Sequence, residues 1–106
     1  MGFFGKKTTS ASEQKAPSPG RKEGARVIIR YNVGFKNNLF IRGKGAGLSW
    51  EHGVQLKNVG TDEWVWETSI PFNDCEFKVL INDKQYEAGE NHHIHSGNSI
   101  QYTPKF

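Results

Sequence analysis

The chain has 106 residues, with 14 Lys/Arg against 11 Asp/Glu, three Trp, three Tyr, seven Phe and a single Cys. A length like this allows one domain, whose core is too small to enclose a large active-site cavity, so a ligand would meet its surface. The lone cysteine excludes an internal disulfide and suits a reducing compartment, and no apolar run reaches the roughly 20 residues that span a bilayer.

The formal net charge of +3 is unevenly spread. Residues 1–26 hold six Lys/Arg and two Glu, whereas residues 27–106 hold eight Lys/Arg and nine Asp/Glu. The basicity therefore belongs to the amino-terminal stretch. A nucleic-acid groove needs cations clustered on the folded part to displace counterions from phosphate, and that clustering is missing.

Residues 1–24 read as a disordered basic leader. Lys7-Thr8-Thr9-Ser10-Ala11-Ser12 and Ala16-Pro17-Ser18-Pro19-Gly20 hold too little apolar surface to offset the entropy of ordering them. Met1 to Lys7 lacks the apolar stretch of a secretory signal, and Lys6 stands where a myristoylation pattern requires Ser or Thr. A cytoplasmic location is expected, with specialised secretion left open.

From residue 25 to 106 the texture is that of short strands. Val27 to Val33 is β-branched and aromatic, Leu39-Phe40-Ile41-Arg42 follows Lys36-Asn37-Asn38, and Val54-Gln55-Leu56 follows a glycine-rich loop. Trp64 to Ile70 alternates, with Trp64 and Trp66 on the face expected in the core. Cys75 to Ile81 alternates too, and Asn82-Asp83-Lys84 has hairpin-turn chemistry before Gln85-Tyr86-Glu87. His93-Ile94-His95 and Ser99 to Tyr102 flank a second turn, Ser96-Gly97-Asn98. Seven or eight strands at this spacing, with no helical period, predict an all-β, antiparallel, immunoglobulin-like sandwich.

Three chemistries are set aside. His93 and His95 would project together from a strand but supply only two of the three or four ligands that zinc needs, so His92, His93 and His95 read as surface imidazoles. Gly43-Lys44-Gly45-Ala46-Gly47 cannot be a phosphate loop, because Leu48 to Gly53 cannot make the helix that must follow. Catalysis on a glycoside needs two carboxylates held across a cleft, and a sandwich of about 80 residues offers no cleft walls. Cys75 reads as a small buried apolar residue.

The order of features from Leu39 to Tyr102 resembles the starch-binding domains, the carbohydrate-binding modules of family 20, and their glycogen-binding relatives. The matching elements are Phe40-Ile41-Arg42-Gly43, Leu48-Ser49-Trp50, Val54-Gln55-Leu56, Trp64 through Ile70-Pro71, Glu76-Phe77-Lys78-Val79, Tyr86-Glu87, Asn91 and Ile100 to Pro104. The likeness covers essentially the whole of the part expected to fold, and its strength lies in the ordered set rather than in any one element. It implies a non-catalytic module for α-glucans (starch, glycogen, maltooligosaccharides), with Trp50, Lys78, Tyr86, Glu87 and Asn91 as sugar-site residues. The family usually carries Trp where this chain has Tyr86, so an exchange to Trp should enlarge the stacking face. A second family site often uses a Tyr where this chain has Phe35.

These residue types suit a sugar. A pyranose has apolar C–H faces that two aromatic planes can cover, and a hydroxyl rim for Lys78, Glu87 and Asn91 to bond. On periodicity alone Lys78 reads as a solvated strand lysine sharing a face with Glu76 and Leu80, a reading that the matched gap to Tyr86 reverses, and the alternative for Trp50 is a plug at one end of the sandwich. The expected partner is a glucan, with a separate glucan-active enzyme as a companion, no cofactor, no metal, and a monomeric state. The competing reading is an immunoglobulin-like protein-interaction module whose aromatic face meets a partner chain.

Overall fold

Strands in which every second residue is β-branched or aromatic can bury one face, and two such faces make a core. A computed structural model describes residues 24–106 and realises that arrangement. The expected leader, residues 1–24, lies outside the described residues but for Gly24. Among the described residues nine strands form: β1 (Ala25–Arg30), β2 (Leu39–Lys44), β3 (Val54–Gln55), β4 (Lys57–Gly60), β5 (Glu63–Thr68), β6 (Asp74–Ile81), β7 (Gln85–Tyr86), β8 (His92–His95) and β9 (Ser99–Tyr102).

One sheet runs β4-β5-β1-β9 and the other β3-β2-β6-β7, with β8 also paired to β6. Neighbouring strands are antiparallel except β1 and β9, which run parallel with Val27 beside Ile100. The parallel pair departs from the expected all-antiparallel order. It arises because the turn at Ser96 to Asn98 carries the chain from one sheet to the other instead of closing a hairpin. Gly97 N–H donates to the Gly24 carbonyl at 2.7 Å, and Arg26 N–H to the Asn98 carbonyl at 3.2 Å.

Val27, Ile29, Trp64 and Trp66 from the first sheet meet Leu39, Ile41, Cys75, Phe77, Val79 and Ile94 from the second in one buried cluster. The alternation in β5 and β6 therefore points its bulky residues inward, as their sequence periodicity requires. Leu80 is fully buried too but lies outside that cluster. It is register-paired with Phe40 and Tyr86, which places it on the opposite face of the second sheet. That outer face is where the candidate site lies.

Candidate functional site

Directly opposed residues of an antiparallel pair share a face. The register of β2 with β6 sets Arg42 against Lys78, Phe40 against Leu80 and Lys44 against Glu76, and that of β6 with β7 sets Leu80 against Tyr86. Phe40, Arg42, Glu76, Lys78 and Tyr86 therefore stand together on the outer face of the second sheet. The sequence separations close up because a tight turn joins β6 to β7. Asn82 and Asp83 both take positive φ, 55° and 58°, and Lys84 N–H donates to the Ile81 carbonyl at 3.0 Å. Asn and Asp tolerate that left-handed backbone better than most residues.

Arg42 organises this corner. Its Nε donates to Asp83 Oδ1 at 2.8 Å and one terminal nitrogen to the Asp83 carbonyl at 3.1 Å. The other terminal nitrogen donates to the Trp50 carbonyl at 3.0 Å and to the Tyr86 hydroxyl at 3.2 Å. The guanidinium carbon also lies 5.8 Å from the Tyr86 ring centroid. Asp83 Oδ2 accepts from Gly53 N–H at 3.2 Å, which ties the loop carrying Trp50 to the β6–β7 turn. A Cβ at Gly53 would collide with the Asp83 carboxylate, so this contact needs glycine. The hydrogen bond from Arg42 holds the Asp83 carboxyl below its ordinary range, and the Gly53 N–H adds to the effect.

The loop between β2 and β3 is a tight glycine turn, as expected. Leu48 N–H donates to the Gly45 carbonyl at 3.0 Å, and Gly45, Ala46 and Gly47 all have positive φ. Trp50 emerges half-buried at its end, whereas Tyr86 is 43% exposed. The two expected stacking residues thus belong to one corner, joined through Arg42.

The remaining expected residues are placed differently. Lys78 donates from Nζ to the Glu87 carbonyl at 3.0 Å and also to the Gly89 carbonyl. Asn91 Nδ2 donates to Glu76 Oε2 at 2.5 Å. Both side chains therefore hold the β7–β8 loop against β6, beside the Arg42 corner. Glu87 turns inward and is only 3% exposed. Its Oε1 accepts from Val79 N–H and from the Tyr102 hydroxyl, both at 2.8 Å, and its Oε2 lies 3.1 Å from His92 Nε2. Burial, and then the neighbouring Glu87, push the Tyr102 hydroxyl pKa well above its ordinary value.

His92 departs from the surface role expected for the histidines. Register beside Phe77 puts it on the inner face, stacked on that ring at 5.3 Å and tilted against Tyr102 at 4.2 Å. His93 and His95 are exposed on either side of Asp74, at 3.6 and 3.4 Å from its carboxylate oxygens. Among the described residues no group of three or more His, Cys, Asp or Glu could hold a metal. Burial pushes the Cys75 thiol up to about 11, with Asp74 and Glu76 adding to the shift.

Phe35, in the β1–β2 loop, is 87% exposed and lies 5.6 Å from Lys36 Nζ. It borders a cleft of about 290 Å³ that Asn32, Asn37, Asn38 and Trp64 also line. Trp64 Nε1 is buried with no hydrogen-bond partner among the described residues. The β6–β7 turn connects the two places: Asn82 bonds Asn37 and Asn38, while Asp83 bonds Arg42.

Sequence reasoning missed Arg42 and Asp83. The signal available was modest: a lone Arg at a polar-face position of β2, and an Asp within turn chemistry.

Among solved structures the chain is similar to the Glycoside Hydrolase Family 15 glucoamylase from Hypocrea jecorina, with a TM-score of 0.67 and 14% identity over 93% of this chain. The chain spans 19% of the length of that glucoamylase. At this identity the likeness is one of fold. No protein-family model and no curated protein matches the chain.

Proposed function

We propose that the chain is a non-catalytic carbohydrate-binding module for α-glucans, with Trp50 and Tyr86 as its stacking residues. One observation carries the reading: Trp50 and Tyr86, far apart in sequence, are brought to a single corner by the same guanidinium. Tyr86 is open to solvent and Trp50 half-open, so aromatic faces are available to the C–H faces of a sugar. An open aromatic surface on a small domain is a feature of binding sites. The fold it shares with part of a glucoamylase is consistent with carbohydrate work. Lys78 and Asn91, beside the same corner, support it by holding the β7–β8 loop against β6.

The test is titration of the full chain with maltoheptaose and β-cyclodextrin, together with retention on insoluble starch against a cellulose control. Wild-type protein should bind the α-glucans and pass over cellulose. Trp50→Ala should weaken binding by about 1.5–3 kcal/mol, the scale of one buried aromatic face. Wild-type protein that binds neither sugar at millimolar concentration would defeat the proposal and leave the aromatic corner to a protein partner.

A further inference from the structure

We infer that Arg42 is the positioning residue of the sugar platform, fixing the Trp50 loop and the Tyr86 ring relative to each other; this rests on the glucan reading above. A guanidinium has five N–H donors in a rigid planar fork. In this domain four hydrogen bonds from that fork go to protein: Asp83 Oδ1, the Asp83 carbonyl, the Trp50 carbonyl and the Tyr86 hydroxyl. The side chain is only 18% exposed. Four of its five donors are committed, so Arg42 acts on a ligand through the groups it holds.

Those groups come from two places that no shared strand register fixes to one another. Trp50 lies in the β2–β3 loop, whereas Asp83 and Tyr86 belong to the β6–β7 hairpin, whose second strand is two residues long. Two-residue strands and loops are held weakly by ladder hydrogen bonds, so a planar cross-link among them sets their geometry. Tyr86 is gripped at its hydroxyl with the guanidinium carbon 5.8 Å from the ring centroid, and the residue remains exposed enough for a sugar to stack on it. A platform ordered before the sugar arrives avoids the entropy of ordering it on binding. Lysine could not substitute, because a single ammonium cannot bond the Trp50 loop and both hairpin residues in fixed directions.

The experiment uses the full chain labelled with 5-fluorotryptophan, its Trp50 resonance assigned by Trp50→Phe. Maltoheptaose affinity is measured by calorimetry for wild type, Arg42→Gln, Arg42→Lys, Tyr86→Phe and the Arg42→Gln/Tyr86→Phe pair. Both Arg42 variants should lose about tenfold in affinity, the scale of one or two lost hydrogen bonds. Tyr86→Phe should lose about threefold alone and little more when added to Arg42→Gln, because the two act through one bond. In the free protein the Trp50 fluorine line should shift and broaden in Arg42→Gln while the lines of buried Trp64 and Trp66 stay put. A general loss of structure would move all three.

Affinity within about twofold of wild type in Arg42→Gln, with an unmoved Trp50 line, would overturn the inference alone. Should Arg42→Gln fail to fold, Tyr86→Phe decides, and unchanged affinity there overturns it equally. Wild-type protein that ignores maltoheptaose overturns the glucan reading first, and the inference with it.

Discussion

Arg42 and Asp83 meet twice, Nε to carboxylate at 2.8 Å and a terminal nitrogen to main-chain carbonyl at 3.1 Å. Two bonds to one residue fix the direction of the turn as well as its distance. The same carboxylate reaches Gly53 across the corner, so a turn, a strand and a loop share one ion pair. An ion pair half-buried as this one is contributes modestly to global stability, and its main consequence is local order.

That pair makes the corner acid-sensitive in a defined sense. The folded pKa of Asp83 is depressed, so its contribution is fully present above the unfolded value and is lost as pH falls through the folded value. Glucan affinity should therefore stay flat from neutrality down through the ordinary carboxylate range and fall beneath it. Asp83→Asn keeps a residue that tolerates the left-handed turn, and should bind weakly at every pH with no acid step of its own. Calorimetric titration across pH, wild type beside variant, measures this. An identical acid step in both proteins would assign it to another group.

Glu87 should prove a structural residue. Glu87→Ala leaves the buried Val79 N–H and Tyr102 hydroxyl without their acceptor, costing about 1–3 kcal/mol for such stranded groups. For a domain of this size each kcal/mol lowers the melting temperature by roughly 4–8 °C. A fall of about 10 °C is expected by thermal unfolding, with sugar affinity reduced only to the extent that the β7–β8 loop loosens. A variant that melts normally yet no longer binds sugar would return Glu87 to the binding surface.

The differing fates of Glu87, His92 and Arg42 show what local pattern conveys and what it omits. Alternation in β5 and β6 marks Trp64, Trp66, Cys75, Phe77 and Val79 as inward, and all are buried. The same alternation is silent for β4, Lys57–Gly60, an edge strand exposed along its length and interrupted by a register shift. It is silent for Glu87 too, which lies just past a two-residue strand, where no period can be read. Glu87 is buried because Val79 and Tyr102, from different sheets, both offer it donors, and that meeting is tertiary. The aromatic pair could be named from the sequence only through the resemblance to starch-binding domains. The guanidinium joining it could not, since Arg42 differs in pattern from no other solvated strand residue until the β6–β7 turn folds over it.

Cys75 should be inert while the domain is folded. Its thiol is buried and pushed up to about 11, so almost none is thiolate at neutral pH. A disulfide reagent at pH 8 should label it only at the rate of unfolding, with a jump in denaturant. Stoichiometric labelling within the mixing time under native conditions would mean that the strand carrying Cys75 opens readily.

The sharpest discrimination comes from exchanging Tyr86 for Trp. Stacking area alone says that the larger ring should bind sugar more tightly, the expectation drawn from the sequence. The corner's geometry reverses the sign. An indole offers only an N–H donor, so the Arg42 nitrogen now bonded to the Tyr86 hydroxyl would lose its acceptor. Losing that bond, at about 1 kcal/mol, should outweigh the added area and leave maltoheptaose affinity roughly threefold lower. On an Arg42→Ser background the bond is already absent, and there the same exchange should tighten binding through ring area alone. Calorimetry on the four chains yields both signs. If Tyr86→Trp tightens binding with Arg42 in place, area governs this corner and the hydroxyl contact is incidental to recognition. If it weakens binding on both backgrounds, the bulk of an indole does not fit beside Phe40 and Leu80, whatever Arg42 does.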